Sequence, residues 1–136
     1  MPIFVQLLGS PNEEVREQAA WALGNVAGDS VGCRDYVLDQ GAMQALLQVC
    51  STFTEHSRVS TIRNVTWTLS NLCRGKPVPA LHLVSAALPL LQQLICSSDM
   101  EVRFWRSLAA SSSLISSPAR LLLTRFPSRL CPPKRP

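Results

Sequence analysis

Apolar residues recur at helical spacing through the first three-quarters of the chain. One core-facing stripe, with the order i, i+4, i+8 and i+11, consists of Val15, Ala19, Leu23 and Val26. Asn12 precedes two glutamates and is a typical N-cap residue, because its side chain can accept a hydrogen bond from a free backbone N–H. Gly28 and Asp29 then predict the end of this helix.

Three further helices follow from the same kind of pattern. Apolar faces predict a short helix over 34–38, a medium helix over 43–49 and a long helix over 59–73. Gly41 and Gly75 mark the ends of the short and long helices. Period-2 alternation is absent from the sequence, which predicts an all-α fold.

The chain also contains an internal repeat. An offset of 46 residues aligns EQAAWALGNVAGDS with RNVTWTLSNLCRGK, and the identical pairs are Trp21 and Trp67, Leu23 and Leu69, and Asn25 and Asn71. An offset of 87 residues places PIFVQLL over PLLQQLI. A unit of roughly 41 to 46 residues with three helices favours armadillo repeats over two-helix HEAT repeats. The predicted fold is a right-handed superhelical armadillo solenoid of about two and a half repeats.

The repeat predicts how the chain is organised. We expect the second half of one repeat at 1–30, a complete repeat at 31–75 and a partial repeat at 76–103. Residues 104–136 contain seven serines, five prolines and no acidic residue, which predicts a divergent, basic and disordered tail.

Composition and charge narrow the class of function. Residues 1–102 carry six basic and nine acidic residues, a net charge of −3, whereas 103–136 carry seven basic residues and no acid. This acidic body argues against nucleic-acid binding and favours a cationic partner. A membrane span and a signal peptide are not expected. The five cysteines show no CxxC spacing, which predicts reduced thiols rather than disulfides or zinc ligands.

Two sets of tryptophan and amide residues form the candidate site. Gln18, Trp21 and Asn25 have the spacing i, i+3, i+7 of a single helix face, and Asn64, Trp67 and Asn71 repeat it one unit later. Parallel indoles can accept the aliphatic stems and cationic ends of Lys and Arg, and an asparagine amide matches one C=O and one N–H of an extended backbone. Asp29 can pair with a lysine. The pattern indicates a groove for an extended basic peptide.

WALGNVAGD, CRDYVLDQGA and RNVTWTLSNLCRGK closely resemble the importin-α (karyopherin-α) family over residues 1–103. The resemblance implies a nuclear import adaptor of the cytoplasm and nucleus, which binds the basic localisation signals of cargo proteins. It also implies the role of the groove residues: Gln18, Trp21, Asn25, Asp29, Asn64, Trp67 and Asn71. The family's basic amino-terminal segment and first repeats are not seen, which argues against importin-β binding. The offset of 87 places Leu108 and Ser112 where another tryptophan and asparagine belong.

Other functions have weaker support. A catenin-like armadillo scaffold for acidic or phosphorylated partners needs a groove lined with Lys and Arg, unlike this one. A non-functional splice remnant with a frameshifted or alternatively spliced end is a further hypothesis. No combination of residues indicates an enzyme, a cofactor site or a metal site, and we interpret His56 and His82 as surface residues.

Overall fold

The computed structural model of the protein describes residues 2–54 and 56–87. These residues form α-helices and one 3-10 helix, and no strand occurs among them. The helices are α1 (Pro2–Leu7), α2 (Glu13–Asp29), α3 (Val31–Asp39), α4 (Ala42–Ser51), α5 (Val59–Cys73) and α6 (Leu81–Val84), followed by the 3-10 helix Ser85–Ala87. The predicted all-α fold is confirmed.

Local sequence signals account for most of these helix ends. The Asn12 side chain accepts a hydrogen bond of 2.9 Å from the backbone N–H of Glu14, which confirms the predicted N-cap of α2. The long helix α5 has the predicted bounds, and α3 and α4 extend beyond their predicted ends. Helix α3 begins earlier than predicted because the prediction missed its N-cap. The Ser30 side chain accepts a hydrogen bond of 3.2 Å from the backbone N–H of Cys33.

The two long helices α2 and α5 lie side by side in the same direction. Contacts run along their whole length, from Glu13 with Arg58, through Glu17 with Ser60, to Ala20 with Thr68. The contacting residues are between 43 and 48 positions apart in the sequence. This separation brackets the repeat offset of 46, so equivalent helices of successive units stack in register.

The core lies between α2, α3, α4 and α5. Its fully buried side chains include Leu23, Val37, Leu46, Leu69 and Leu72. In the predicted stripe of α2, Ala19 and Leu23 are buried, while Val15 and Val26 are half-buried. Burial of apolar surface at this interface is the main force that holds the units together.

A buried arginine fastens α3 to the segment that follows α5. The Nη1 group of Arg34 donates hydrogen bonds to the carbonyl oxygens of Arg74, at 2.8 Å, and Pro77, at 2.9 Å. Its charge is paired with Asp35 at 2.7 Å. Gly75 has a positive φ of 109°, a conformation that glycine adopts without strain and that turns the chain beside Arg34.

Several sequence predictions concern residues outside the described ranges. They are the second part of the partial repeat at 76–103, the tail at 104–136, and positions Leu108 and Ser112. Cys96 and Cys131 also lie outside, whereas Cys33, Cys50 and Cys73 are free thiols in the structure. None of the described helices is both long and apolar enough to cross a membrane.

Candidate functional site

The first set of candidate residues forms an exposed stripe on α2. Gln18, Trp21, Asn25 and Asp29 are spaced by three, four and four residues, so they share one face, and all four are exposed. The neighbouring stripe faces α5 and consists of Glu13, Glu17, Ala20, Gly24 and Gly28. The last four of these each stand one position before a candidate residue, so the candidate stripe runs directly beside the line of contact with α5. We call the four exposed candidate residues, Gln18, Trp21, Asn25 and Asp29, the first copy.

The second set lies on α5, at its boundary with α2. Asn64, Trp67 and Asn71 form this second copy. The Nδ2 group of Asn64 donates a hydrogen bond of 3.2 Å to a carboxylate oxygen of Glu17. Trp67 lies against Gly24, and the Asn71 amide donates to the carbonyl oxygen of Gly24 at 2.9 Å. The structure therefore brings both copies together along one helix pair.

Two glycines of α2 allow α5 to approach closely. A Cβ atom placed on Gly24 would overlap the Trp67 ring and would lie 2.5 Å from the Thr68 hydroxyl oxygen. On Gly28 it would lie 3.0 Å from the Asn71 amide nitrogen. Neither glycine has a positive φ, so backbone conformation does not explain why glycine occurs here. What alanine would lack at these positions is the space that α5 occupies.

The two asparagines have different surroundings. Asn25 is exposed, and its amide donates to the carbonyl oxygen of Trp21 in its own helix at 2.9 Å. Asn71 is only 1% exposed. Its Nδ2 group is bonded across the interface, while its Oδ1 atom has no hydrogen-bond partner in the part of the chain that the structure describes. An unpaired buried acceptor is costly, so Oδ1 has an energetic preference for a donor.

Charge is unevenly distributed along this helix pair. Asp29 ends α2, is exposed, and forms no ion pair with any described residue. Its carboxylate accepts a weak hydrogen bond from the Cys33 thiol at 3.7 Å. A guanidinium nitrogen of Arg74, the residue after α5, lies 3.9 Å from the position that a Cβ atom on Gly28 would occupy. A cation therefore also lies near the carboxyl end of α2. At the opposite end, Glu13 and Glu14 lie beside Arg58, whose guanidinium pairs with Glu14 at 2.9 Å.

Burial controls the thiols beside these residues. Cys73 follows Asn71 by two positions, and burial raises the pKa of its thiol to about 12, against a smaller opposing effect of the Arg34 charge. Burial also raises the pKa of Cys50 to about 12. Both thiols are neutral near pH 7, which makes them poor nucleophiles and agrees with a packing role.

The sequence prediction missed Glu17 and Gly24 as residues of this site. Glu17 accepts hydrogen bonds from Ser60, Thr61 and Asn64, so it orients one of the predicted amides. Gly24 supports the ring of one predicted tryptophan. The available signal was spacing, because both residues belong to the stripe that immediately precedes the candidate stripe.

Two cavities in the described part of the chain lie mostly away from the candidate residues. A cavity of about 320 Å³ lies between α1, α2 and α4, around Arg16 and Gln48, and contains none of them. A shallower depression beside α1 includes only Gln18. In the described ranges no group of three His, Cys, Asp or Glu side chains could hold a metal ion. The open surface along α2 and α5 suits a long ligand better than a small enclosed one.

Comparison with known proteins agrees with this architecture. Residues 1–28 and 30–74 match the sequence model of the family described as Armadillo/beta-catenin-like repeat. The chain belongs to the armadillo-repeat family. The resemblance to importin-α is confirmed as well, because several proteins of that name are about 60% identical to this armadillo chain over 75% of its length.

Similar proteins come from plants and from a slime mould. Importin subunit alpha-6 of Arabidopsis thaliana is 61% identical over 102 residues, 75% of this chain and 18% of that protein. Importin subunit alpha-1b of Oryza sativa subsp. japonica is 60% identical over 102 residues, again 75% of this chain and 18% of the relative. The probable importin subunit alpha-A of Dictyostelium discoideum is 47% identical over 106 residues, 70% of this chain and 19% of that protein. The chain thus spans less than a fifth of these relatives.

Proposed function

We propose that this armadillo chain binds nuclear localisation signals, as part of an adaptor for protein import into the nucleus. Its ligand is an extended peptide rich in Lys and Arg, which lies along the first and second copies. The observation that carries the proposal is the parallel stacking of α2 and α5, which brings two sets of amide, tryptophan and asparagine residues together. The similarity to proteins named importin subunit alpha supports it.

The chemistry of the two copies fits such a peptide. The indole of Trp21 is 51% exposed and can pack against a lysine or arginine stem, with cation–π attraction for the charged end. The exposed Asp29 carboxylate offers a charge-assisted hydrogen bond to an ammonium group. Exposed Asn25 can pair with the backbone of the peptide and is therefore indifferent to its side chains.

Affinity for a single peptide should be weak. A charge-assisted hydrogen bond contributes roughly 1.5–3 kcal/mol and a cation–π contact about 0.5–2 kcal/mol. Immobilising a flexible peptide opposes these gains by several kcal/mol. The described residues supply few such contacts, so we expect dissociation constants from micromolar to millimolar.

The cellular role follows from the same proposal. The partners are cargo proteins with basic localisation signals, and the chain acts as a binding module rather than an enzyme, in both cytoplasm and nucleus. No binding of importin-β, nucleic acid or membrane is proposed. The exposed Asp29 carboxylate, which forms no ion pair with any described residue, argues against a catenin-like scaffold for acidic partners.

Fluorescence anisotropy of labelled peptides tests the function directly. The full chain is titrated against a lysine-rich peptide, the same peptide with alanine in place of lysine, and an acidic phosphorylated peptide. We expect binding of the lysine-rich peptide alone. Trp21→Ala should weaken it, whereas Tyr36→Ala should not, since Tyr36 is a comparably exposed aromatic residue on α3 rather than on the groove.

Each alternative has its own result in this experiment. Preference for the phosphorylated peptide would support the catenin-like scaffold and reject our proposal. Equal effects of Trp21→Ala and Tyr36→Ala would show that the peptide binds elsewhere. Far-UV circular dichroism of the isolated chain completes the test, because a random-coil spectrum would favour the splice remnant.

A further inference from the structure

We propose that Gly24 is a positioning residue of the groove, which fixes the orientation of both Trp67 and Asn71. It belongs to one repeat and acts on the Trp67 ring and the Asn71 amide of the next. Its consequence for peptide affinity rests on the function proposed above, whereas its effect on the Trp67 ring does not. No contact of Gly24 itself with the peptide is required.

The first argument is steric. Gly24 is buried in the interior of α2, where glycine is less favourable than alanine. Its φ is not positive, so a left-handed conformation does not explain the choice. A Cβ atom would lie 2.8 Å from Cε3 of Trp67 and 2.5 Å from the Thr68 hydroxyl oxygen. The missing side chain is therefore the space in which the Trp67 ring rests.

The second argument is the hydrogen bond made by the same residue. The carbonyl oxygen of Gly24 accepts from the Asn71 amide nitrogen at 2.9 Å. This contact fixes which end of the amide is bonded internally and leaves Oδ1 as the atom that still lacks a partner among the described residues. The ring and the amide are thus both oriented by one residue of the preceding helix.

The internal repeat supplies independent support. The offset of 46 places Ser70 on α5 at the position equivalent to Gly24, three residues after the tryptophan in each case. Ser70 is also small and completely buried, and its hydroxyl has no hydrogen-bond partner in the described ranges. A small residue at this position is therefore a feature of both long helices.

The test compares Gly24→Ala with Gly32→Ala in the full chain. Gly32 is a matched control, because it is an exposed helical glycine whose Cβ would meet nothing within 4 Å. The readout is the indole N–H signal of Trp67 in a ¹⁵N–¹H spectrum, assigned with Trp67→Phe. We expect Gly24→Ala to move this signal clearly more than that of Trp21, and Gly32→Ala to move neither.

Peptide affinity provides the second readout, through a double-mutant cycle. Gly24→Ala should lower the affinity for the lysine-rich peptide about tenfold. In a Trp67→Ala background the same substitution should lower this affinity less than about threefold, because the ring that the new Cβ atom would displace is absent. An unmoved Trp67 signal in folded Gly24→Ala would overturn the inference, whatever the peptide does. A moved signal in a chain that does not bind the peptide would support the positioning role and reject the proposed function instead.

Failure of Gly24→Ala to fold is also informative. Helicity is then measured for Gly24→Ala in a folded background that carries both Trp67→Ala and Thr68→Ala. Recovery of the helical spectrum would show that the overlap with these two side chains caused the failure, as proposed. A chain that stays unfolded there, although the background alone is folded, would contradict it.

Discussion

The first and second copies differ in what surrounds them, although their sequences repeat. Trp21 and Asn25 are exposed, and the hydrogen bond that the Asn25 amide donates to Trp21 stays within α2. Trp67 is half-buried against Gly24, and Asn71 is covered and bonded to the preceding helix. The cause is the order in which the helices stack. Helix α5 packs against the long helix α2 of the preceding unit, whereas within the described residues α2 is preceded only by the short helix α1. A repeated motif therefore does not imply a repeated environment.

This difference separates binding from stability. Side chains of the first copy have few internal contacts, so changing them should alter ligand affinity with little effect on folding. Side chains of the second copy hold two repeats together and are already ordered before a ligand arrives. Prior order reduces the entropy lost on binding, which favours the second copy as the more rigid wall of the groove.

The largest expected effect is a loss of stability at alkaline pH. Burial raises the pKa of Cys73, at the end of the second copy, and of Cys50 to about 12 from a reference of 9.0. Both groups bind protons more tightly when folded, so their contribution is complete below about pH 9 and is lost as the pH rises towards 12. By about pH 10.5 each thiol should have lowered the free energy of unfolding by about 2 kcal/mol.

Urea unfolding at a series of pH values measures this loss. Cys73→Ala and Cys50→Ala should each remove one share of this pH dependence. Identical pH dependence of the two variants and the unmodified chain would show that neither thiol is buried in the folded protein.

The next largest effect is the difference in stability between variants that lack one tryptophan or the other. Trp67→Ala removes a half-buried ring from the interface and should lower the free energy of unfolding by about 2 kcal/mol, below the cost of a fully buried aromatic residue. Trp21→Ala should cost less than about 1 kcal/mol, because half of that side chain is already in water. Thermal and urea unfolding give the stabilities, and peptide titration should show that both changes weaken binding. Equal stabilities of the two variants would remove the distinction between the copies.

The asparagines should show a smaller difference in the same direction. Asn71→Ala removes a buried interhelical hydrogen bond and should lower the free energy of unfolding by about 1 kcal/mol. Asn25→Ala should change it by less than about 0.5 kcal/mol, because Asn25 is exposed and alanine favours helices. Peptide affinity is compared only where each variant is fully folded, and both should weaken basic and neutral peptides to a similar extent. A stability loss confined to Asn25→Ala would contradict the conclusion that Asn71, rather than Asn25, stabilises the contact between the two helices.

The sequence predicted the elements of the fold well, because the relevant signals are local. The cap at Asn12, the bounds of α5 and the direction of the apolar stripe each depend on a few neighbouring residues. The repeat offset also predicted which helices are equivalent. Their contacts follow that offset along the whole of α2.

Features that depend on distant parts of the chain were not predictable in the same way. A single helix pattern places Asn71 on a face but does not say what covers that face, and it gives Gly24 no role. Arg34 is another example, because its type suggests an exposed side chain, yet its guanidinium is buried by carbonyl groups some 40 residues later. Only the packed structure reveals such partners.

Asp29 provides the smallest and most selective test of the comparison. The offset of 46 pairs it with Gly75, so the first copy ends in an acid and the second does not, and the basic Arg74 and Lys76 flank that glycine. Asp29→Asn keeps the size and removes the charge. It should weaken a lysine peptide about fivefold at low salt and less at high salt, because an exposed charge is screened. A peptide with norleucine at the lysine position should bind both proteins equally. Asp39→Asn, at the exposed end of α3, serves as the control for net charge. If the two variants weaken the lysine peptide to the same extent, general attraction to an acidic surface explains the binding, and the first copy has no lysine preference of its own.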